Sequence, residues 1–165
     1  SREGAIEKFE WMFCDGSAAT GPRVRRTYDK PGEYNEIVKV TDASGDIDYD
    51  FAVVQVIDKS HPDQVPPTIH AAYYPTFDIK AGDEVTFKVR SFRTREGSEV
   101  WDFGDGSGKG TVQSDGNAKV HDPNGYAVTT HCYQAPGQYI ATVKRSNERG
   151  QEAITHLQII VSTPD

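Results

Sequence analysis

The chain has 165 residues, 36% of them hydrophobic, and its 25 acidic against 18 basic side chains leave a formal charge of −7. That balance excludes nucleic acid as a partner, because affinity for phosphate backbones is carried by clustered lysine and arginine. No apolar run reaches the roughly 18 residues of a spanning helix, so no membrane insertion is expected. Ser1-Arg2-Glu3-Gly4 does not open a basic-then-apolar signal peptide, which suits a mature form or a piece of something longer.

Helix signals are absent along the chain, and strand signals dominate. Trp11 and Phe13 lie two apart and so share one side of a strand, where each ring buries about 150–250 Å² and anchors a core. Asp15 and Gly16 end that strand, the carboxylate accepting backbone N–H groups and the glycine supplying a positive φ. Tyr28 and Tyr34 flank Lys30-Pro31-Gly32-Glu33, which predicts a type II turn with Pro31 second and Gly32 third at φ > 0. The rings then pack inward while a hydroxyl ties down the loop. Strands follow over 33–41 and 46–57, with Glu36 at an inward position that fits an incomplete inner face.

Residues 58–67 hold three prolines and predict an extended, stiff connector. The first unit therefore covers 1–58, the linker 59–67 and the second unit 68–165. Strands are expected at 84–92, 138–146 and 152–161. In the last two, Tyr139, Ala141 and Val143 form an inward set with Leu157, Ile159 and Val161.

The second unit restates the first. Trp101, Phe103, Asp105 and Gly106 repeat Trp11, Phe13, Asp15 and Gly16 at a displacement of 90. Tyr133, Pro136, Gly137 and Tyr139 repeat Tyr28, Pro31, Gly32 and Tyr34 at 105, so the second copy carries a 15-residue insertion near 108–125. A long loop on a rigid scaffold is expected to touch a neighbouring domain or a ligand. Some 33 residues of the second unit precede Trp101 but only ten precede Trp11, which leaves the first copy about two strands short. Its open edge and core need cover from upstream chain or from another chain. Cys14 and Cys132 fall in different copies at non-equivalent positions, so no intradomain disulfide forms and two buried thiols are expected.

Trp101 to Ser107 (Trp-Asp-Phe-Gly-Asp-Gly-Ser), with His131-Cys132-Tyr133 and Ala135 to Tyr139, resembles the signature of the polycystic kidney disease (PKD) domain over residues 68–165. The first copy is similar over 6–57, but Cys14 replaces the family's glycine and the opening strands are absent. The resemblance implies an all-β fold of two immunoglobulin-like β-sandwich units in tandem, extracellular and non-catalytic, with a structural role for His131. Such units occur in cell-surface stalks and as accessory parts of secreted bacterial proteases, chitinases and other polysaccharide-degrading enzymes.

No nucleophile with its base, carboxylate pair or metal cluster emerges, and the five histidines at 61, 70, 121, 131 and 156 show no ligand spacing. The chain is expected not to be an enzyme and to need no cofactor. Some PKD domains similar to this one bind calcium in a loop before the tryptophan; here that loop is Arg93-Thr94-Arg95-Glu96-Gly97, whose arginines repel the ion. The remaining calcium candidates, Asp115 and Asp122, sit beside Gly or Pro and read first as turn formers. Arg23, Arg25 and Arg26, like Arg90, Arg93 and Arg95, read as solvated strand faces. Tyr73, Tyr74, Phe77 and Tyr126 are the aromatics placed to stack on sugar rings.

The expected function is a non-catalytic accessory module of a larger secreted bacterial protein, a polysaccharide- or protein-degrading hydrolase. It would act as spacer, stabiliser and weak carbohydrate or protein binder; the alternative is a segment of a cell-surface stalk or adhesin. The expected partners are neighbouring domains of the parent protein and a polysaccharide or protein substrate, outside the cell or on its surface.

Overall fold

A computed structural model describes residues 5–164, and all its regular structure is β. The first unit is one antiparallel sheet in the order β2-β1-β3-β4, from β1 (Ile6–Met12), β2 (Ala18–Thr20), β3 (Gly32–Asp42) and β4 (Ile47–Val56). The second unit repeats that sheet with β8 (Glu99–Asp102), β9 (Gly110–Val112), β11 (Gly137–Ser146) and β12 (Glu152–Ser162), in the order β9-β8-β11-β12. Registers recur as well: Trp11 pairs with Val38 as Trp101 pairs with Val143, and Gly32 with Val56 as Gly137 with Val161.

Among the described residues only the second unit has the opposing layer, β10-β7-β5, built from β5 (Thr68–Tyr74), β7 (Glu84–Phe92) and β10 (Ala127–Cys132); β6 (Ile79–Lys80) pairs with the end of β12. Between the layers lies the core, in which Val85, Phe87, Val89, Trp101, Tyr133, Ala141, Val143 and Ile159 are fully buried. Trp101 has Phe87 at 5.2 Å and a stacked Phe103 at 6.0 Å. Trp11 and Phe13 occupy the same places on the first unit's sheet but are half-buried. Residues 22–27, the counterpart of β10, form no strand there, because a strand needs lateral hydrogen-bond partners and, among the described residues, no counterpart of β7 lies beside them.

The units are joined along β12. Ala153 bridges Glu33 in parallel register, and the Glu33 carboxylate accepts the Ile69 N–H at 3.0 Å. His156 Nε2 donates to the Asn35 carbonyl at 2.9 Å, so its Nδ1 accepts from the Thr142 hydroxyl at 2.8 Å. Burial pushes the His156 pKa down, favouring the neutral ring that this pair of bonds requires. Phe51 packs 5.7 Å from the same ring, and the Asn35 amide donates to Thr155.

Three expectations need correcting. Neither Gly32 nor Gly137 has a positive φ, so the Pro-Gly corners are not type II turns. Glycine is required at 32 for room, since a Cβ would lie 2.9 Å from the Glu152 carbonyl oxygen; at 137 it would meet the Tyr139 ring at 3.4 Å. The connector is not extended: His61 N–H bonds the Asp58 carbonyl and Gln64 N–H the His61 carbonyl, giving two turns, because Asp58 caps Ser60 N–H at 2.8 Å. Finally, β9 pairs with β8 as β2 does with β1, so all but one of the extra residues lie beyond Val112 rather than from 108.

Candidate functional site

The doubled Asp-Gly turns build the same constellation from different side chains. Asp105 meets His131 Nε2 at 2.7 Å and accepts the Ser107 N–H at 3.0 Å, while the imidazole stacks on Phe103 at 4.1 Å. Arg26 stands where His131 stands, paired to Asp15 at 2.9 Å with its guanidinium 4.3 Å over the Phe13 ring. Burial opposes ionisation of Asp105, yet Ser107 and His131 bring its pKa to about 2; Ser17 and then Arg26 hold Asp15 far below the carboxylate range. Gly16 and Gly106 both take the positive φ that the turn demands.

Arg26 also explains Glu36, whose carboxylate bonds its Nε at 2.9 Å and the Cys14 N–H at 2.7 Å. Cys14 and Cys132 are free and half-buried rather than buried, because the first face is open and Cys132 ends an edge strand. Burial pushes the Cys14 thiol up to about 11. Tyr34 and Tyr139 donate to the Lys30 and Ala135 carbonyls, both at 2.8 Å, and Tyr133 to Phe103 at 3.1 Å. Trp11, Phe13, Tyr28 and Pro31, like Trp101, Phe103 and Pro136, sit around these turns as packing and backbone elements.

The insertion is strapped down by a cation that alternation alone would put in water. Arg90 is 5% exposed and grips Asp115 with two bonds of 2.8 Å, and its Nη2 donates to the Lys119 carbonyl. Arg26 and Arg90 are therefore not solvated; Arg23, Arg25, Arg93 and Arg95 are exposed. Beneath the loop, fully buried Arg145 and Glu99 pair at 2.7 Å, and Ser91 and Ser114 donate to the same carboxylate. Burial would raise the Glu99 pKa, but these hydroxyls and Arg145 bring it below the ordinary value. Gly116 has no room for a Cβ, which would fall on the Thr94 carbonyl oxygen. Of the calcium candidates, Asp115 is held by Arg90 and Asp122 caps the Asn124 N–H at 2.9 Å. Among the described residues, no group of three or more His, Cys, Asp or Glu side chains is placed to hold a metal ion.

The structure divides the candidate aromatics. Tyr73 turns inward, with its ring 6.1 Å from Phe87 and its hydroxyl donating to the Gln158 carbonyl at 2.8 Å. Tyr74 turns outward and is 74% exposed; Phe77, 80% exposed, stands on the β5–β6 loop. Tyr126 packs edge-on to His70, its hydroxyl 3.1 Å from Nδ1. Tyr74 and His70 thus share the outward face of β5, and Tyr126 joins it from the insertion end. Thr86, Lys88 and Thr130 lie on that face too, by their pairing with Tyr74, Ala72 and Thr86. These were not among the sequence candidates, although alternation in β5, with Ile69, Ala71 and Tyr73 inward, carried the signal.

No helix of the described residues is long and apolar enough to cross a membrane. In comparisons with solved structures, the chain resembles the fibronectin(III)-like modules of Clostridium thermocellum CbhA at 14% identity, covering 99% of this chain and 82% of that one, TM-score 0.41. It also resembles the Bacteroides ovatus mixed-linkage glucan utilization locus protein SGBP-B, solved with a mixed-linkage heptasaccharide, at 14% identity, 93% and 37% coverage and TM-score 0.29. A protocadherin gammaB7 EC3-6 cis-dimer matches at 14% identity, 98% and 43% coverage and TM-score 0.32. The PKD domain profile matches residues 1–56 and, separately, 71–159. The chain therefore belongs to the PKD domain family, as two copies in tandem of which the first is truncated at its N-terminus.

Proposed function

We propose that this tandem is a non-catalytic accessory segment of a larger secreted protein, a hydrolase of polysaccharide or protein, in which it sets the distance and orientation of neighbouring domains. The observation that supports this reading is the joint. Glu33, Asn35 and Phe51 of the first unit engage Ile69, Thr155 and His156 of the second through backbone, side-chain and ring contacts together. A free connector would let the units tumble separately, whereas contacts from both sides of β12 hold them as one body. In this reading the polar clusters serve the scaffold: each carboxylate of the Asp-Gly turns is already occupied by a nitrogen of Arg26 or His131 and by a backbone donor.

Residual dipolar couplings measured on the two units in one alignment medium test the idea. One shared alignment tensor is expected, and two tensors of different magnitude would remove the rigid-spacer role. Turnover of polysaccharide or peptide by the isolated chain would refute the non-catalytic part.

A further inference from the structure

We infer that the outward face of the β5-β7-β10 layer, from His70 and Tyr126 at one end to Tyr74 at the other, is a binding strip for a polysaccharide chain. It rests on the accessory reading for its setting, and locates within it a site with a substrate class.

Four features of the face support this. At about 3.4 Å per residue, His70 and Tyr74 are roughly 14 Å apart along β5, so aromatic side chains bracket a strip long enough for more than one sugar ring. Tyr74 is 74% exposed and forms one wall of a groove of about 320 Å³ with Ala72, Tyr73, Thr86 and Lys88. Cross-strand rows place Thr86 and Thr130 beside Tyr74, and Lys88 and Val128 beside Ala72. The Thr86 and Thr130 hydroxyls and the Lys88 ammonium bond to no side chain or backbone group among the described residues, so their hydrogen-bonding capacity is left for a ligand.

This mixture fits a glycan better than a protein surface. A pyranose presents a flat C–H face that packs on an aromatic ring and a rim of hydroxyls that needs donors and acceptors beside it. A protein partner favours a contiguous apolar patch, and here Ala72 and Val128 are separated by Lys88 and flanked by threonines. Charge agrees: in a chain of net −7, the rows between His70 and Tyr74 carry Lys88 and no carboxylate, so a neutral or uronic chain lies there without repulsion. Because the side chains stand on paired strands, little conformational freedom is lost on binding.

The strip also gives the insertion a part to play. Asp115 and the Lys119 carbonyl hold Arg90, the cross-strand neighbour of His70, and the Arg90 guanidinium lies 5.8 Å from the Tyr126 ring. The loop thereby fixes the far wall of the strip. Asp115 and Arg90 are positioning residues; Tyr74, Lys88 and Tyr126 are the expected contacts.

Affinity electrophoresis of the full chain in gels containing mixed-linkage β-glucan, xylan or polygalacturonate, with pull-down on cellulose and chitin, tests the strip. Retardation or capture by at least one polysaccharide is expected. Tyr74→Ala should weaken it roughly tenfold, as loss of one aromatic stacking partner does, while Tyr74→Phe keeps it. Lys88→Ala should weaken it with an unchanged melting temperature, and a response to salt at that position marks a uronic ligand. Binding to none of these, or binding abolished by Phe77→Ala but not by Tyr74→Ala, would overturn the assignment. Absence of binding alongside a single alignment tensor would leave the spacer reading standing, so the two ideas fail separately.

Discussion

The two tryptophans occupy equivalent positions in the repeat, one in each unit, which allows one substitution to be placed in two environments. Trp101 is fully buried against Phe87 and Phe103, so about 200 Å² of ring at roughly 25 cal/mol/Å² carries a transfer term near 5 kcal/mol. Trp101→Ala should therefore cost about 4 kcal/mol, within the range for aromatic truncations in cores. For a domain of this size that lowers the melting temperature by about 20 °C. Trp11 is only partly buried, so its transfer term is smaller, and Trp11→Ala also leaves the Gly21 carbonyl without the indole N–H it accepts at 3.0 Å, worth about 1 kcal/mol. Each variant leaves a single tryptophan as the reporter of the unit that was not mutated. In urea, Trp11 fluorescence of Trp101→Ala should unfold at a much lower midpoint than in the wild type, because the first sheet leans on β12 through Glu33, Asn35 and Phe51. Trp101 fluorescence of Trp11→Ala should keep a midpoint close to that of the intact chain, because the second core is closed without the first. A Trp11 transition untouched by Trp101→Ala would refute the dependence of one unit on the other.

Further outcomes follow from the polar contacts. The folded pKa of Asp105 lies below its ordinary 3.8, so the stability it supplies is present above that value and is lost as pH falls toward about 2. Asp105→Asn should cost about 1–2 kcal/mol at neutral pH and flatten the acid limb of a pH–stability curve. His156 has a folded pKa below 6.5, so its contribution is complete above 6.5 and declines as pH drops below it. Acidification to about pH 5 should loosen the joint, seen as divergence of the two alignment tensors, and His156→Gln should remove that dependence. Arg90→Ala leaves Asp115 without its cation and should cost about 1–3 kcal/mol. Limited proteolysis should then cut between 115 and 124, where the wild type resists.

Much of the fold was legible because its rules act between near neighbours. Alternation put Tyr139, Ala141 and Val143 on one face, and the Tyr-Pro-Gly-Tyr spacing pointed to a hydroxyl tying down the loop, which Tyr34 does at Lys30 and Tyr139 at Ala135. The same local reasoning misjudged the glycines, because the need at Gly32 comes from Glu152, 120 positions away. Glu36 read as a sign of an open face, yet Arg26 pairs with its carboxylate and the Cys14 N–H donates to it. Displacement by 105 already aligned Arg26 with His131, so that exchange was readable; that both would stack on a Phe ring was not.

The repeat, the all-β class, the truncation of the first copy and the extra loop of the second were determined by the sequence alone. They depend on composition, spacing and alternation, which are properties of residues adjacent in the chain. Tertiary structure decided which charges are satisfied, which aromatics face water and how the units meet. Arg90 is paired because a loop 25 residues later closes over it, Tyr73 is spent on the core while Tyr74 is free, and β12 serves both its own sandwich and the neighbouring sheet. Such pairings join residues far apart in the chain, and only the closed geometry of the layers selects among the many partners that composition allows.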